Sequence, residues 1–442
     1  MTNYVIIGMG VAGVAAAEAI RSHDPAARVS LVSAEPDGYY SRPGLAYYLT
    51  GELNEAQLYP FREKEFDQLG IQCLHGVVSR IAPQEHQVEF EHGTRLPYDR
   101  LLIATGAQAA PLRVKGYEAR GVVKLDCLED ARQIIRLARR ARSAVVVGGG
   151  ITALELVEGL LARGVKTHYF LRGDRYWTNV LDEAESRTVE QRLRHEKVQL
   201  HFHTDLDEIL QSRGRVVGVR TKDGRQIQCD VVAYAIGVQA RKGMAEACGI
   251  KSDRGILVNE YLQTSAEDVF AAGDVAQVFD PSTGQAVLDS LWGPAREQGA
   301  AAGLNMAGLR TPYLKNVPFN VTRLADLTTT IIGTVGRGED LDLHSIARGD
   351  SETWRQLPDA ISAQSNFEIN RLRLLIGQQT LIGAVVMGDQ TLSRPLQHLI
   401  SQRVDIRPIR QHLLQPRIRM ADLLADFWSK FVSQLSYAAQ QP

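Results

Sequence analysis

A segment made of a short apolar strand, a glycine-rich turn and an apolar helix occurs twice in the chain, and this repeat constrains the fold more than any other feature. The copies lie at residues 4–20 and 144–161. Both strands are continuous apolar runs, as expected for parallel strands that are covered on both faces. A further strand follows each helix, at residues 29–32 and 165–171, and completes a right-handed βαβ unit. The repeat predicts an α/β protein with two Rossmann-like dinucleotide-binding domains.

The turn of the first copy has the sequence GMGVAG. Gly8 permits the tight turn, Gly10 lets the backbone approach a pyrophosphate, and Gly13 lets the helix pack on the strand. The first turn of the helix offers unpaired N–H groups and a partial positive charge. Glu35 follows the second strand and can accept hydrogen bonds from both ribose hydroxyls of an adenosine. The predicted binding residues of this turn are Gly8, Gly10, Val11, Ala12 and Gly13.

The turn of the second copy has the sequence GGGITA, in which alanine at the third position still allows close packing of helix and strand. Its predicted binding residues are Gly148, Gly150, Ile151, Thr152 and Ala153.

The strand after this second helix does not end in an acid. Leu171 occupies the place of the usual 2′-hydroxyl acceptor, and Arg172 and Arg175 can pair with a 2′-phosphate, which favours NADPH. In the alternative interpretation both arginines are solvated and Asp174 turns towards a ribose, which leaves NADH.

Later strands indicate that the first domain is discontinuous. Residues 231–237 are predicted to form the last strand of the second unit. Residues 269–274 are predicted to form a strand that returns to the first unit. From about residue 315 the pattern changes to Thr- and Val-rich segments that each end near a glycine, which predicts a smaller α+β domain. The predicted boundaries are 1–112 with 240–314 for the first domain, 113–239 for the second, and 315–442 for the C-terminal domain.

The chain ends in an amphipathic segment. Residues 421–437 place Leu424, Phe427, Trp428, Phe431 and Leu435 on one helical face. This face is expected to dock against the protein itself or against the second subunit of a homodimer; adsorption to a membrane surface is the alternative.

Composition removes several classes of function. The chain has 442 residues and a net charge of -1, from 50 Lys and Arg against 51 Asp and Glu, so no basic field exists for nucleic acid. No segment reads as an integral membrane span or a signal peptide. The four cysteines are widely spaced, with no C-x-x-C, which favours a reducing cytoplasm.

Four motifs in a fixed order resemble the FAD-dependent pyridine nucleotide-disulfide oxidoreductase superfamily over roughly residues 1–310. They are GMGVAG with Glu35, LLIATG at residues 101–106, GGGITALE from Gly148, and TSAEDVFAAGD at residues 264–274. The resemblance implies that the first unit binds FAD and the second binds NAD(P)H. It also implies that Asp274, after Gly273, accepts hydrogen bonds from the FAD ribityl chain. It further implies that the chain leaves the FAD domain at Ala104, Thr105 and Gly106.

Two further groups are expected to line the nicotinamide crevice. Glu155, at the start of the helix after the second glycine turn, is the candidate for fixing the nicotinamide carboxamide; the alternative is an ordinary surface-helix acid. Gly237 and Val238, at the end of their strand, are expected beside it.

The absence of redox-cysteine motifs indicates the branch of the superfamily that this chain resembles. There is no dithiol motif, and Pro43 stands where the single-thiol members carry a redox cysteine. The run Tyr40-Ser41-Arg42-Pro43-Gly44-Leu45 instead resembles ferredoxin and rubredoxin reductases and the NAD(P)H-binding portion of assimilatory nitrite reductases. In those families this segment lies against the flavin, so Arg42 is expected to bring a positive charge near the ring.

A second stretch of this branch is also expected at the flavin. Residues 291–299 resemble the W-x-x-A-x-x-Q-G helix that closes the flavin pocket, with Trp292 near the ring; core packing is the alternative interpretation of Trp292.

These features predict an FAD-dependent NAD(P)H:acceptor oxidoreductase. Hydride passes from nicotinamide to flavin, and electrons then leave directly for a carrier protein of the ferredoxin or rubredoxin type or for a nitrite-reductase-like partner. A diaphorase-like reductase of quinones or oxygen, and a redox-sensing flavoprotein that acts through partner interactions, are the alternatives. His195, His201 and His203 form a local cluster without the acids or cysteines of a metal site, and no metal is expected.

Overall fold

The computed structural model describes residues 1–281, 284–335, 361–367, 370–415 and 418–438. Its first sheet is parallel, and its central strand β1 is buried on both faces, with Ile6 wholly inaccessible. The order of strands is β19-β7-β1-β2-β3, so the late strand β19 joins the early ones, as the sequence predicts. The strands are β1 (Asn3–Ile7), β2 (Arg28–Ser33), β3 (Ile71–His75), β7 (Arg100–Ile103) and β19 (Val269–Ala271).

The second sheet repeats this arrangement. Its parallel strands follow the order β12-β11-β10-β16-β9, and the fully buried run of β10 lies between β11 and β16. The two predicted βαβ units are therefore confirmed. The strands are β9 (Val122–Val123), β10 (Ser143–Val147), β11 (Lys166–Phe170), β12 (Gln199–His201) and β16 (Val231–Tyr234).

Short strands complete this part of the chain. The pair β8 and β17 carries the chain between the two parallel sheets, with Ala109 opposite Val238. The short strands are β4 (Val78–Ala82), β5 (Gln87–Phe90), β6 (Arg95–Pro97), β8 (Ala107–Ala109), β13 (Leu206–Ser212), β14 (Arg215–Thr221), β15 (Gln226–Ile227), β17 (Val238–Ala240), β18 (Ile256–Leu257), β20 (Ala276–Asp280) and β21 (Gln285–Leu288).

Helices cover the parallel sheets, and glycines allow two of them to pack closely. A Cβ on Gly299 or Gly303 of α8 would lie 2.1 or 2.4 Å from a carbonyl oxygen of α1. The helices are α1 (Val11–His23), α2 (Gly44–Thr50), α3 (Glu63–Gln68), α4 (Leu128–Ala138), α5 (Ile151–Ala162), α6 (Glu183–His195), α7 (Gly243–Ala247) and α8 (Trp292–Met306), with 3-10 turns at Glu55–Leu58 and Pro83–Glu85.

The C-terminal part is an antiparallel sheet with helices, which confirms the predicted α+β class. Its order is β22-β23-β26-β25-β24, and the core includes Ile332, Leu374 and Leu396. The elements are β22 (Phe319–Leu324), β23 (Leu327–Gly333), β24 (Ile361–Phe367), β25 (Asn370–Ile376), β26 (Leu381–Met387), α9 (Ser393–Ser401), α10 (Arg407–Leu413) and α11 (Met420–Ala438).

The terminal helix α11 docks against this core with the predicted face. Leu424 is buried, and Phe427 and Trp428 pack against the same cluster. The side chain of Leu435, predicted on that face, lies outside the described residues, as does Gly336. Within the described ranges no helix is both long and apolar enough to cross a bilayer.

The chain forms two compact units. One holds Met1–Asp174 and Arg194–Lys315, and the other joins Arg175–Leu193 to the described residues from Asn316 onwards. Buried charges explain the second grouping: Arg373, with a side chain 7% exposed, lies 2.9 Å from Glu185, and Arg371 lies 2.6 Å from Asp182. This grouping takes residues 175–193 away from the continuous stretch 113–239, and the boundaries drawn from the sequence stay predictions.

Candidate functional site

The first glycine turn has the geometry that the sequence predicts. Gly8 has φ +117°, and a Cβ there would lie 2.1 Å from the Ala104 oxygen. A Cβ on Gly13 would lie 2.0 Å from the Gly8 oxygen, so only glycine lets α1 approach β1 so closely. A Cβ on Gly10 would meet no protein atom within 4 Å. The turn is thus tightly packed at Gly8 and Gly13 and open at Gly10.

The start of α1 suits a phosphate group. No side chain caps the helix, and its first turn, which includes Val11 and Ala12, carries no acid. Its unpaired N–H groups and the positive end of the helix dipole are therefore available to an anion.

Two other strands of the first sheet end beside this turn. After β7 come Ala104, Thr105 and Gly106, where the Thr105 hydroxyl donates to the Arg241 oxygen at 3.0 Å. After β19 come Gly273, with φ +78°, and Asp274. Because β7 lies between β1 and β19, these residues and the glycine turn share one edge of the sheet.

Asp274 is a carboxylate in need of a partner. Burial, with the nearby Asp289, raises the pKa of Asp274 to about 6, while Arg42 opposes the rise. In the described part of the chain no other residue donates a hydrogen bond to its side chain. A carboxylate in that state suits the hydroxyl groups of a bound polyol.

Glu35 lies just beyond β2 and is held by two neighbours. The Tyr40 hydroxyl donates to its Oε2 at 2.5 Å, and the Arg42 guanidinium donates to its Oε1 at 2.5 Å. Arg42 also donates to the Asp126 oxygen. The structure thus places Arg42 at the end of the site assigned to adenosine ribose, and its expected contact with the flavin ring stays a prediction.

Pro43 ends the same segment and occupies the N-cap position of α2. Its ring therefore stands at the start of a helix, where a missing N–H costs nothing.

The second glycine turn repeats the first. Gly148 has φ +147°, and a Cβ there would lie 2.2 Å from the Ala235 oxygen and 2.9 Å from the Ala153 Cβ. Gly150 is the N-cap of α5, which starts at Ile151 and Thr152 without a side-chain cap or an acid in its first turn. Gly237 has φ +119°, lies in the loop after β16, and precedes Val238, the first residue of β17.

Glu155 is the notable titratable group of this second turn. Burial, reinforced by Glu158, raises the pKa of the Glu155 carboxyl to about 7. No hydrogen bond or ion pair to it occurs among the residues that the structure describes. The contact of Glu155 with the nicotinamide carboxamide and the alternative of a surface-helix acid both stay predictions.

The remaining predicted residues are placed less decisively. Leu171 is buried and Arg172 is exposed in the first unit, whereas the half-buried Arg175 belongs to the second unit. Trp292, the first residue of α8, is 49% exposed, so the core-packing interpretation is wrong for it. A contact of Trp292 with the flavin stays a prediction.

Sequence reasoning missed several polar residues of the site. Gln298, which is wholly buried, accepts the Gly273 N–H at 2.8 Å and so supports the turn before Asp274. Tyr40 holds Glu35, and Asp289 raises the pKa of Asp274. Gln298 lies inside the quoted W-x-x-A-x-x-Q-G stretch, which was the available signal; Asp289 had none.

The histidine cluster is only partly assembled. His201 pairs with His168 on the neighbouring strand, with 3.1 Å between the ring nitrogens, while His195 is exposed. Among the described residues, no group of three or more His, Cys, Asp or Glu is arranged to hold a metal ion.

The first site fits FAD and the second fits a nicotinamide dinucleotide. The open space at Gly10, the uncapped start of α1 and the unpaired carboxylate of Asp274 match the pyrophosphate and ribityl groups of FAD. The matching turn at Gly148 and the start of α5 provide the second pyrophosphate site.

Comparisons with known proteins agree with this geometry. The family model described as pyridine nucleotide-disulphide oxidoreductase matches residues 2–299. The ferredoxin–NAD(+) reductase component of the biphenyl dioxygenase system of Paraburkholderia xenovorans is 31% identical over 360 residues, which are 80% of this chain and 85% of that protein.

Two further matches cover almost the whole chain. The NAD(P)H nitrite reductase of Bacillus subtilis is 25% identical over 416 residues, 93% of this chain but 49% of that protein, so the chain spans about half its length. The crystal structure of the covalent putidaredoxin reductase–putidaredoxin complex superposes with a TM-score of 0.83 at 23% identity, covering 96% of this chain and 98% of that one, and shows the shared fold. The chain belongs to the pyridine nucleotide-disulphide oxidoreductase family and is an FAD-dependent NAD(P)H oxidoreductase.

Proposed function

We propose that this chain takes hydride from a nicotinamide dinucleotide and passes the electrons directly from flavin to a small carrier protein of the ferredoxin or rubredoxin type. FAD, when bound, supplies the redox chemistry, because it accepts hydride and releases electrons to one-electron acceptors. The similarity to a ferredoxin–NAD(+) reductase component supports this class of acceptor.

The state of the four cysteines carries the proposal of a direct exit. Burial raises the pKa of Cys229 to about 12, and it also raises the pKa values of Cys127 and Cys248. The exposed Cys73 has its pKa raised to about 11 by partial burial together with Asp67 and Glu63. Redox thiols react as thiolates, so thiols that stay protonated at neutral pH are poor relays. With Pro43 at the redox-cysteine position, this supports electron transfer that bypasses sulfur.

The chain's own groups bind and orient the two nucleotides. Glu35 would hold the FAD ribose, Asp274 the ribityl chain, and Glu155 the nicotinamide carboxamide. The two glycine turns would hold the pyrophosphates. By fixing both nucleotides, these residues would make hydride transfer an effectively unimolecular step. Trp292, half exposed at the start of α8, offers an apolar contact for the carrier.

A rapid-mixing experiment tests hydride entry and electron exit separately. FAD-loaded protein is mixed with NADH or NADPH, and flavin absorbance is followed; the reduced protein is then mixed with a ferredoxin, a rubredoxin, a quinone or oxygen. We expect rapid bleaching and fastest reoxidation by a carrier protein. Bleaching by neither nucleotide contradicts the proposal, and faster reoxidation by quinone or oxygen identifies a diaphorase-like reductase instead.

Cysteine variants test the direct exit. Cys127→Ser removes the thiol that interacts electrostatically with Arg42 and Glu35, and Cys73→Ser is the matched control on β3. We expect both variants to reduce the carrier at the wild-type rate. A loss of carrier reduction in Cys127→Ser with normal bleaching would show that a thiol relays the electrons.

We further propose NADPH as the preferred donor, because the exposed Arg172 lies two residues after the end of β11 and can meet a 2′-phosphate. Arg172→Glu should lower the ratio of kcat/KM for NADPH to that for NADH by about tenfold, the effect of about 1.4 kcal/mol. Arg139→Glu, an exposed arginine just after α4, is the matched control. An unchanged ratio in Arg172→Glu, or an equal change in both variants, removes the support for NADPH.

A further inference from the structure

A buried tyrosine connects the predicted FAD-ribose acceptor to the second nucleotide-binding unit. Tyr40 is 4% exposed, and its hydroxyl donates to Glu35 Oε2 at 2.5 Å. The same oxygen accepts the Leu128 N–H at 3.0 Å, although Leu128 lies 88 residues further along the chain. One phenol therefore satisfies a carboxylate beside the first sheet and an amide of α4.

The Leu128 N–H, which donates to the Tyr40 hydroxyl oxygen, has no acceptor within its own helix. Leu128 is the first residue of α4, and the first N–H groups of a helix lack intrahelical acceptors. Helix α4 connects β9 to β10 and so belongs to the second parallel sheet. A buried N–H left without an acceptor is destabilising, which makes the Tyr40 oxygen a structural requirement of this turn.

Arg42 forms a second connection between the same two places. One guanidinium nitrogen donates to Glu35 Oε1, and another donates to the carbonyl oxygen of Asp126, two residues before Leu128. Each carboxylate oxygen of Glu35 is thus bonded once by the protein. A carboxylate oxygen accepts two hydrogen bonds, so both keep capacity for the two hydroxyls of a ribose.

Burial keeps the Tyr40 hydroxyl in the form that this arrangement needs. It raises the pKa of the Tyr40 phenol well above its usual range, with Glu35 acting in the same direction. The phenol therefore remains a donor to the Glu35 carboxylate throughout the physiological range of pH.

Other contacts hold the two sheets together without Glu35. Arg132 of α4 lies 2.8 Å from Asp37 and 2.6 Å from Glu55. The Tyr48 hydroxyl donates to the same Glu55 at 2.8 Å. Removing the Tyr40 hydroxyl should therefore leave the packing in place, and Tyr48 provides a second phenol at this interface that does not reach Glu35.

We propose that Tyr40 is a positioning residue that couples FAD binding to the first turn of α4. It holds Glu35 in the orientation that receives the ribose, and it holds Leu128 through the same oxygen. Binding free energies that are coupled in this way are reciprocal, so FAD should stabilise the first turn of α4 and the turn should strengthen FAD binding. The inference rests on the proposed role of Glu35.

The test compares four variants of the full chain: Tyr40→Phe, Tyr48→Phe, Glu35→Gln and the double variant Tyr40→Phe with Glu35→Gln. FAD affinity is measured by titrating the flavin-free chain, and hydrogen exchange is measured on the peptide that contains Leu128, with and without FAD. We expect Tyr40→Phe to weaken FAD binding about tenfold, the factor that corresponds to about 1.4 kcal/mol. FAD should slow exchange at Leu128 in the wild type and much less in Tyr40→Phe.

The matched variants separate this coupling from a general effect on packing. Tyr48→Phe should bind FAD within about twofold of wild type, since the Tyr48 hydroxyl donates to Glu55 and makes no contact with Glu35 among the described residues. In the Glu35→Gln background, the Tyr40→Phe change should add less than about twofold, because contacts that act through one group are not additive.

Three results overturn the proposal. Equal losses in Tyr40→Phe and Tyr48→Phe would indicate a packing effect. Wild-type FAD affinity in Tyr40→Phe with a loss in Glu35→Gln would refute the coupling and leave the ribose site standing. Wild-type FAD affinity in both variants would refute the assignment of Glu35 to the FAD ribose and, with it, the coupling.

Discussion

Two buried carboxyls, those of Asp289 and Asp274, should make the protein less stable as the pH rises. Burial raises the pKa of Asp289 from 3.8 to about 6, with Asp280 and Glu297 adding to the rise and Lys315 opposing it. Asp274 is raised to about 6 as well, partly by Asp289. Between pH 3.8 and about 6, the Asp289 carboxyl of the folded chain keeps a proton that the unfolded chain has released.

The sign and size follow from linkage. A raised pKa means stability that is fully present below about pH 4 and is lost as the pH rises to about 6. At about 1.4 kcal/mol per pKa unit, the loss for Asp289 is about 3 kcal/mol. Asp289→Asn removes this titration and, by removing a neighbouring charge, also lowers the pKa of Asp274.

Thermal unfolding of FAD-loaded protein between pH 4 and 7, at fixed FAD concentration, measures the effect. The melting temperature of the wild type should fall relative to Asp289→Asn by about 5 °C across this range, given about 2 °C per kcal/mol for large domains. Asp67→Asn, at an exposed position of α3, is the control and should follow the wild type. An Asp289→Asn protein less stable than wild type at pH 7 would refute the reasoning, because it would show that pairing with Lys315 outweighs burial.

Three further outcomes are expected. When both proteins are free of FAD, Gly10→Ala should have the melting temperature of the wild-type chain, because its Cβ meets no protein atom within 4 Å. It should nevertheless retain less flavin after gel filtration. Equal flavin content would mean that this space does not receive the cofactor. Arg373→Met should lower the stability of the C-terminal unit by about 3–5 kcal/mol, because it removes the nearer guanidinium from the inaccessible Glu185 and leaves this carboxylate with the more distant Arg371 at 3.7 Å, and adding Glu185→Gln should restore most of the loss. In the wild type, KM for the nicotinamide donor should fall as the pH rises through about 7, because Glu155 then loses its proton and becomes an acceptor. Glu155→Gln should abolish this pH dependence. An identical pH profile in both proteins would exclude a role of Glu155 in binding the nicotinamide carboxamide.

Local patterns predicted most of the fold because they report directly on backbone geometry. A continuous apolar strand, a glycine turn and an apolar helix can be satisfied together only in a parallel βαβ unit, so both sheets and the return of β19 were predicted correctly. The C-terminal antiparallel sheet and the docking face of α11 followed from periodicity for the same reason.

Residues whose role depends on distant partners could not be predicted in the same way. The contacts of Arg42 with Glu35 and with the Asp126 carbonyl oxygen were not predicted, and its expected contact with the flavin ring stays a prediction. Tyr40 belongs to the motif quoted from the sequence, but its role gave no signal, because its second partner, Leu128, is remote in sequence.

The sequence by itself thus determined the two glycine turns, the two βαβ units and the missing redox cysteine, since each depends on a few adjacent residues. Only the tertiary structure decided which carboxyls are desolvated, as at Asp274, Glu155 and Asp289, and which side chains join the two nucleotide-binding units. Desolvation and hydrogen bonding depend on what folding brings close, and spacing along the chain carries no record of it.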